Sequence, residues 1–249
     1  MISPPASARK IPNAVVLLAS CFCLSLPATT VAGVFSVTPV RIYMTPKDRA
    51  VAVTITNEGD TEVVLQADLN AWSQKPDGTD EQVPTEDLIL SPPIIKLAPG
   101  ARQVVRLALL KPADASRQLI YRMIMREVPE AIQSRAKPIE VPIALALSLP
   151  VFITPPPAKR EMDCTAARSS PQVLNVSCGN QGSAYAQVRE ISVLRGEQTL
   201  ARFEGGTYIL PGARKTMSVN GLQVVAPGPA QLSVRFDDGK SQVFSVTLP

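Results

Sequence analysis

The residue types that catalysis needs most are absent from this chain or stand where they do not suit it. The 249-residue sequence contains no histidine, which removes the commonest general base, the commonest zinc ligand and every Ser-His-Asp arrangement. It has no glycine-rich phosphate loop, and the acidic pair Asp237 and Asp238 stands beside Gly239, a combination typical of a solvated hairpin turn. We therefore predict a binding protein that is not an enzyme and has no cofactor or metal site.

Two cysteines predict a structural crosslink. Cys21 and Cys23 lie in an N-terminal apolar segment described below, which leaves Cys164 and Cys178, fourteen positions apart. An even pair in an exported chain favours one disulfide. The alternative is a redox pair, but that chemistry uses a close C-x-x-C arrangement, which this spacing does not provide.

One segment alternates strictly between bulky and smaller residues. Its odd positions are Val141, Ile143, Leu145, Leu147 and Leu149. A period of two is typical of a β-strand. Pro142 lacks an N–H group and belongs at a sheet edge or bulge, so one interpretation is an exposed edge strand that pairs with another chain. The other is the last core strand of its domain, with the odd face packed inward.

Arg122 is also unusual, because it lies within the largely apolar run from Tyr121 to Pro129. A long cation is unexpected in such a strand. It is either an edge arginine whose guanidinium reaches water or a cation that serves the binding of a partner.

Short β-strands must position these residues. Alternating apolar residues on both sides of the turn at 58–60 predict a hairpin with one buried face. Further strand-like runs, separated by turn-forming residues, cover 102–110, 119–128, 139–152, 172–178, 184–194, 213–219, 230–236 and 242–248. No helical period runs longer than these strands. The triple proline at 155–157 predicts a short, stiff connector in polyproline geometry.

These patterns predict an all-β protein with two β-sandwich domains. The first domain is expected at 33–153 and contains the alternating strand. A Pro-rich linker at 154–157 joins it to a smaller domain at 158–249.

The N-terminal residues 1–32 predict a secretory signal peptide. Arg9 and Lys10 precede an apolar run from Ala14 to Leu26, as in an ordinary leader. Cleavage after Ala32 or after Gly33 satisfies the small-residue rule equally well.

Cys21 offers an alternative processing route, because it ends a lipoprotein box and would become the lipidated first residue of the mature protein.

Without the leader, the chain has 23 basic residues (25 − 2) and 21 acidic ones, so the net charge of the mature chain is near +2. That balance argues against a nucleic-acid partner. No second apolar run is long enough to span a membrane, so we predict no stable membrane insertion.

Three sets of residues in the first domain together resemble the periplasmic chaperones of chaperone-usher pili. They are the segment from Val37 to Arg41, the segments Ser91 to Gly100 and Gln103 to Leu107, and the Tyr121-Arg122 pair followed by Glu127-Val128-Pro129. The resemblance implies a periplasmic boomerang of two Ig-like domains. Such a chaperone would bind pilus or fimbrial subunits by donor-strand complementation and deliver them to an outer-membrane usher.

The resemblance also assigns roles to particular residues. The donor strand would carry Val141, Ile143, Leu145 and Leu147. In the conventional family pattern, an arginine on the first strand and a lysine on the donor strand hold the subunit's C-terminal carboxylate.

Arg41 fits the arginine of that pattern, but Pro150 stands in the lysine's place. The Tyr121-Arg122 pair instead resembles the archaic branch of the family, in which an arginine on the preceding strand is a suitable substitute. We expect Arg122 to be the anchor in preference to Arg41.

Two other functions are compatible with export. An Ig-like surface or adhesive structural protein that itself polymerises would share the fold, but it is expected to have an incomplete sandwich and an N-terminal donor extension. An exported enzyme lacks any catalytic constellation in this sequence.

Overall fold

The computed structural model describes residues 35–48, 50–128 and 144–249, and every regular element among them is a β-strand. The strands are β1 (Phe35–Thr38), β2 (Ile42–Met44), β3 (Ala50–Asn57), β4 (Val63–Gln74), β5 (Asp80–Pro84), β6 (Leu88–Ser91), β7 (Ile94–Leu97), β8 (Arg102–Leu109), β9 (Leu119–Glu127), β10 (Ala146–Ile153), β11 (Met162–Ser170), β12 (Val173–Asn180), β13 (Ala186–Arg195), β14 (Gln198–Ile209), β15 (Arg214–Gly221), β16 (Gly228–Phe236) and β17 (Ser241–Leu248). The all-β prediction is confirmed. No helix that could cross a membrane occurs in the described part of the chain.

Strands β1 to β10 form a two-sheet sandwich. One sheet has the order β1-β3-β8-β6, and the other has the order β2-β10-β9-β4-β5, with β7 also paired to β4. Alternate residues of each sheet point inward, so that Val53, Val105, Met123 and Val151 are fully buried in one core. The alternation seen in the sequence therefore places one face of each strand in this core.

The predicted hairpin around residues 58–60 is wrong. Strand β3 pairs with β1 and β8, whereas β4 pairs with β5, β7 and β9, so the two strands lie in different sheets. A strand with one buried face occurs both in a hairpin and in a sandwich whose two sheets face each other. The alternation in the sequence therefore does not distinguish the two arrangements. The Asn57 side chain holds the crossing turn, because it donates to the Thr61 carbonyl (2.7 Å) and accepts from the Gly59 N–H (3.0 Å).

Strands β11 to β17 form one seven-stranded antiparallel sheet with the order β11-β12-β15-β14-β13-β16-β17. Its two outer strands, β11 and β17, approach each other, so the sheet encloses its own core. The predicted disulfide joins Cys164 to Cys178, which are directly opposite on β11 and β12.

The connector between the two cores is a turn, and the predicted polyproline geometry is wrong. The Ala158 N–H donates to the Pro155 carbonyl (3.0 Å). A fixed φ near −65° suits a turn as well as an extended helix, so three prolines alone do not choose between them. The limits 33–153 and 158–249 remain a prediction, and the two cores lie on either side of the turn.

An aromatic cluster joins residues of the two cores. Phe152 stacks on Tyr185 with ring centroids 4.0 Å apart, and Trp72 meets Tyr208 edge-on at 5.2 Å. Leu210 completes the buried part of the cluster. Such aromatic pairs are individually worth about 0.5–1.5 kcal/mol beyond burial, so the cluster stabilises the contact beside the site described next.

Candidate functional site

Strand β10 is paired on both sides for only part of its length. It pairs with β9 from Ala146 to Ile153, but β2 joins its other side only from Val151 onward. Within the described residues, no strand pairs the β2-side edge from Ala146 to Pro150. That stretch of β10 is an open edge that can accept another strand.

The odd-numbered face of β10 becomes more exposed towards the N-terminal end. Leu149 is buried in the first core, Leu147 is half-buried against it, and Leu145 is 37% exposed. Within the described part of the segment, the core-strand interpretation therefore fits Leu149, and the exposed edge strand fits Leu145. Val141, Pro142 and Ile143 lie outside the described residues.

The open edge ends between the two predicted anchor cations. Ile42 of β2 is in register with Val151, so Arg41 immediately precedes the point where β2 closes the edge. On the other side, Arg122 of β9 is in register with Pro150. The structure thus brings Arg41 and Arg122 to the two sides of Pro150.

The guanidinium of Arg122 lies over the rings of Trp72 and Tyr208, which we call the aromatic shelf. Its guanidinium carbon is 3.6 Å from the Trp72 ring centroid and 5.5 Å from that of Tyr208. One terminal nitrogen, Nη1, donates to the Ser148 carbonyl of the open edge at 3.4 Å. The guanidinium is therefore held at the backbone of β10 by stacking, which suits arginine better than lysine.

The edge-arginine interpretation of Arg122 is wrong, because β9 lies inside its sheet between β10 and β4. Nε of Arg122 is buried without a hydrogen-bond partner. Burial lowers the pKa of Arg122, and the nearby Tyr208 hydroxyl and Asp80 carboxylate do not fully offset it. A carboxylate ligand would compensate a partly buried charge that has no ion pair within the described part of the chain.

Arg41, in contrast, already has a carboxylate partner. Its Nη1 donates to Oδ2 of Asp237 at 3.1 Å, and the Tyr185 hydroxyl donates to the same oxygen at 2.7 Å. Burial, the largest single effect, lowers the pKa of Arg41, but interactions with Tyr43, Tyr208 and Asp237 outweigh it and the net shift is upward. We call Arg41, Asp237 and Tyr185 the latch, because they link the β1–β10 sandwich to the β11–β17 sheet.

The turn containing Asp237 corrects one prediction from the sequence. Gly239 does lie in a hairpin turn, between β16 and β17, with a φ of 79°. Asp238 is partly exposed and binds both terminal nitrogens of Arg160. Asp237 is not the solvated turn residue that was predicted, because its side chain is only 10% exposed.

Sequence reasoning missed the aromatic shelf. Asp80 accepts from Trp72 Nε1 (3.0 Å), and Gln74 contacts the backbone of both Tyr208 and Leu210. Trp72 is the only tryptophan in the sequence, and it lies in β4. The rarity of tryptophan was the one signal available in the sequence. Tyr208, the other ring of the shelf, is more than a hundred positions from Trp72 and shares no motif with it.

The described residues of the site provide groups that suit binding. No group of three or more acidic or cysteine side chains in the described part of the chain could hold a metal. What the arrangement offers is backbone hydrogen-bonding groups, exposed leucines and a stacked cation. Those elements suit recognition of a peptide strand that ends in a carboxylate.

Solved structures share this fold. The chain is 18% identical to a chain of the CsuC-CsuE chaperone–tip adhesion subunit pre-assembly complex from archaic chaperone-usher Csu pili of Acinetobacter baumannii, with a TM-score of 0.64 over 87% of this chain and 100% of that one. It is 16% identical to the E. coli chaperone DraB, with a TM-score of 0.56 over 87% and 97%. It is 14% identical to a chain of the Salmonella enterica SafA pilin–SafB chaperone complex, with a TM-score of 0.56 over 88% and 98%.

Sequence comparison identifies the family. No curated protein sequence matches the chain. Residues 34–159 match the family model of the pili and flagellar-assembly chaperones, PapD N-terminal domain. That match spans more than half of the chain and includes β1 to β10, with the open edge and both cations. The chain therefore belongs to the PapD family of pili and flagellar-assembly chaperones, which are assembly helpers and not enzymes.

Proposed function

We propose that this chaperone captures pilus or fimbrial subunits in the periplasm by donor-strand complementation and passes them to an outer-membrane usher. The observation that carries the proposal is the open edge of β10, which ends between Arg41 and Arg122. An exposed edge with apolar side chains favours aggregation unless it serves to pair with a partner. A subunit that lacks a strand would supply that partner.

The alternating face would fill the groove of an incomplete subunit. Leu145 and Leu147 are the members of the predicted donor set whose positions are described, and both have apolar surface to bury. Complete burial of one such side chain contributes about 1.5–3 kcal/mol. Val141 and Ile143 would extend the same face by the period of two.

The end of the open edge sets the direction of the bound strand. A strand that adds to β10 must stop near Pro150, because β2 occupies the edge from Val151. A C-terminal carboxylate would meet Arg122 there only if the subunit strand ran parallel to β10. Arg122 is the proposed anchor, because Asp237 already occupies Arg41, and a stacked guanidinium can hold a carboxylate through two parallel bonds.

Compartment and pathway complete the proposal. The signal peptide at 1–32, which lies outside the described residues, would deliver the chain to the periplasm. An oxidising compartment agrees with the Cys164–Cys178 disulfide. The Tyr121-Arg122 pair, together with Pro150 in the place of a lysine, supports assignment to the archaic branch.

Co-expression with a candidate pilin in the periplasm tests the capture step. We expect a one-to-one complex by pull-down and intact mass, and we expect Ile143→Glu with Leu145→Glu to abolish it. Leu222→Glu is the matched control, because Leu222 is 72% exposed and lies outside β10. Unchanged co-purification of the double variant would refute donor-strand capture, and no complex with any pilin would favour an exported Ig-like surface or adhesive protein.

A binding titration ranks the two candidate anchors. We expect Arg122→Gln to weaken subunit binding by about tenfold or more, which corresponds to the loss of one charge-assisted pair. Arg41→Gln should have a smaller effect. Equal losses, or a greater loss for Arg41→Gln, would overturn the ranking.

A further inference from the structure

A cationic cleft adjoins the latch and is lined largely by residues of the β11–β17 sheet. Its volume is about 360 Å³, and its lining includes Arg41, Arg189, Arg235 and Asp237. Three positive charges therefore face one negative charge. Phe236 and Gly239 complete the wall.

The three arginines differ in how well they are neutralised. Arg41 is paired with Asp237, and Arg235 is bonded to Glu190, which Arg202 shares. Arg189 is exposed, and no hydrogen bond or ion pair engages it among the described residues. The cleft thus keeps one cation available for an anion from outside.

A β-bulge places Arg189 at this position. Against β16, Val188 and Glu190 pair with the adjacent residues Phe236 and Arg235, so Arg189 is the extra residue of that pairing. Against β14 the register shifts at the same place, but there the extra residue belongs to β14. Bulges redirect a side chain and are common next to functional sites. The guanidinium lies close to the backbone of Gly206, where an added Cβ would be 3.3 Å from Nη1.

The cleft is electrostatically connected to the proposed anchor. The positive charges of Arg41 and Arg122 both act to lower the pKa of Tyr208, although burial, the largest effect, leaves that pKa raised. Tyr208, one of the two rings of the aromatic shelf, is therefore close enough to feel the charge of Arg41 as well as that of Arg122. Arg41, which lines the cleft, and Arg122 flank Pro150, so a subunit whose C-terminus reaches Arg122 would lie beside one wall of the cleft.

We propose that Arg189, supported by Arg235 and Arg41, forms a second carboxylate-binding site, whose occupant is an acidic side chain of the bound pilus subunit. The choice of occupant rests on the proposed function, whereas the anion site itself rests on the charge and shape of the cleft. An arginine fork matches a carboxylate in geometry as well as in charge. The site would give the second domain a role in selecting subunits.

The anion site is tested on the free, mature protein by the NMR signals of the arginine Nε–Hε groups. N-acetylglycine, which carries one carboxylate, should shift the Arg189 and Arg235 signals along a saturable curve, and N-acetylglycinamide should not. Arg189→Gln should remove the saturable shift at Arg235, and Arg189→Lys should retain part of it. Arg102, an exposed arginine on β8, is the reference, and a response at Arg189 no greater than at Arg102 would overturn the site.

The occupant is tested with the co-expressed pilus subunit. Arg189→Gln should weaken subunit binding about fivefold, the range of a partly exposed ion pair, and Arg102→Gln should leave it unchanged. Equal effects of the two variants would overturn the subunit as occupant. Failure of the proposed function would look different, because the unmodified chaperone would then bind no subunit while the N-acetylglycine response at Arg189 persisted.

Discussion

The two neighbouring acids of the 237–238 turn should differ sharply in what they contribute to stability. Asp237 accepts two hydrogen bonds at one oxygen, from Arg41 at 3.1 Å and from Tyr185 at 2.7 Å, and is only 10% exposed. Asp238 is 38% exposed and binds Arg160 at the surface. Replacement of either residue by asparagine removes one charge at nearly constant volume. Asp238→Asn therefore serves as the matched control for Asp237→Asn.

The expected magnitudes follow from burial and partners. Hydrogen bonds to charged groups contribute about 1.5–3 kcal/mol. Arg41 is 31% exposed, so solvent screens part of its pairing, and asparagine can still accept one bond. We therefore expect Asp237→Asn to cost about 2 kcal/mol, and Asp238→Asn about 0.5 kcal/mol, as for an exposed ion pair.

Urea unfolding of the mature chain measures both losses. Combining Asp237→Asn with Tyr185→Phe should give less than the sum of the single effects, because both remove the same hydrogen bond. If the two sandwiches unfold separately, the loss should appear in the transition of the domain that unfolds first. A cost for Asp238→Asn equal to or greater than that for Asp237→Asn would refute the latch.

Three further changes test the fold around the site. Cys164→Ser should lower the free energy of unfolding of the second sandwich by about 3 kcal/mol, because the disulfide closes a loop of 14 residues. A urea midpoint of the wild-type protein that reductant does not change would contradict this prediction. The hydrogen bond from Lys111, the largest influence, lowers the pKa of Asp87. The stabilisation that the Asp87 carboxylate contributes is therefore present above pH 4 and should fade as pH drops below about 4. The difference in urea midpoint between wild type and Asp87→Asn should then shrink, and a constant difference would count against this reasoning. Gly182→Ala should lower the free energy of unfolding by about 1–3 kcal/mol, since the alanine Cβ would lie 2.3 Å from the Lys159 carbonyl oxygen. Circular dichroism during thermal unfolding measures this loss, and an unchanged melting temperature would disprove the clash.

The strands best predicted from sequence were those with one clearly apolar face. The expected runs 102–110 and 119–128 agree closely with Arg102–Leu109 and Leu119–Glu127. Strand Gln198–Ile209 was missed, because Gly205 and Gly206 interrupt its alternation. Alternation reports that a face is buried but not which strand is the neighbour, and the crossing of β3 and β4 into different sheets was therefore missed as well.

The site was predictable only in part, for a related reason. Family resemblance selected Arg41 and Arg122, and the alternating period selected the odd-numbered leucines. One ring of the shelf beneath Arg122 (Tyr208) and the partner of Arg41 (Asp237) come from the second sandwich, where neither residue has a local pattern that points to a site. Contacts between residues this distant in sequence depend on how the two cores meet, which no short-range pattern records.

The open edge explains why a stacked cation belongs at its end. Backbone hydrogen bonds hold any strand that adds to β10, so they give affinity without fixing register. A slip of one residue would turn every side chain of the bound strand to the opposite face, and Leu145 and Leu147 would then lose their groove. In the proposed complex, a carboxylate held by Arg122, where β2 closes the edge, would exclude such slips, because it would fix the last residue of the bound strand. The proposed role of the cation is therefore chiefly to set register, and that of the leucines is chiefly to give affinity.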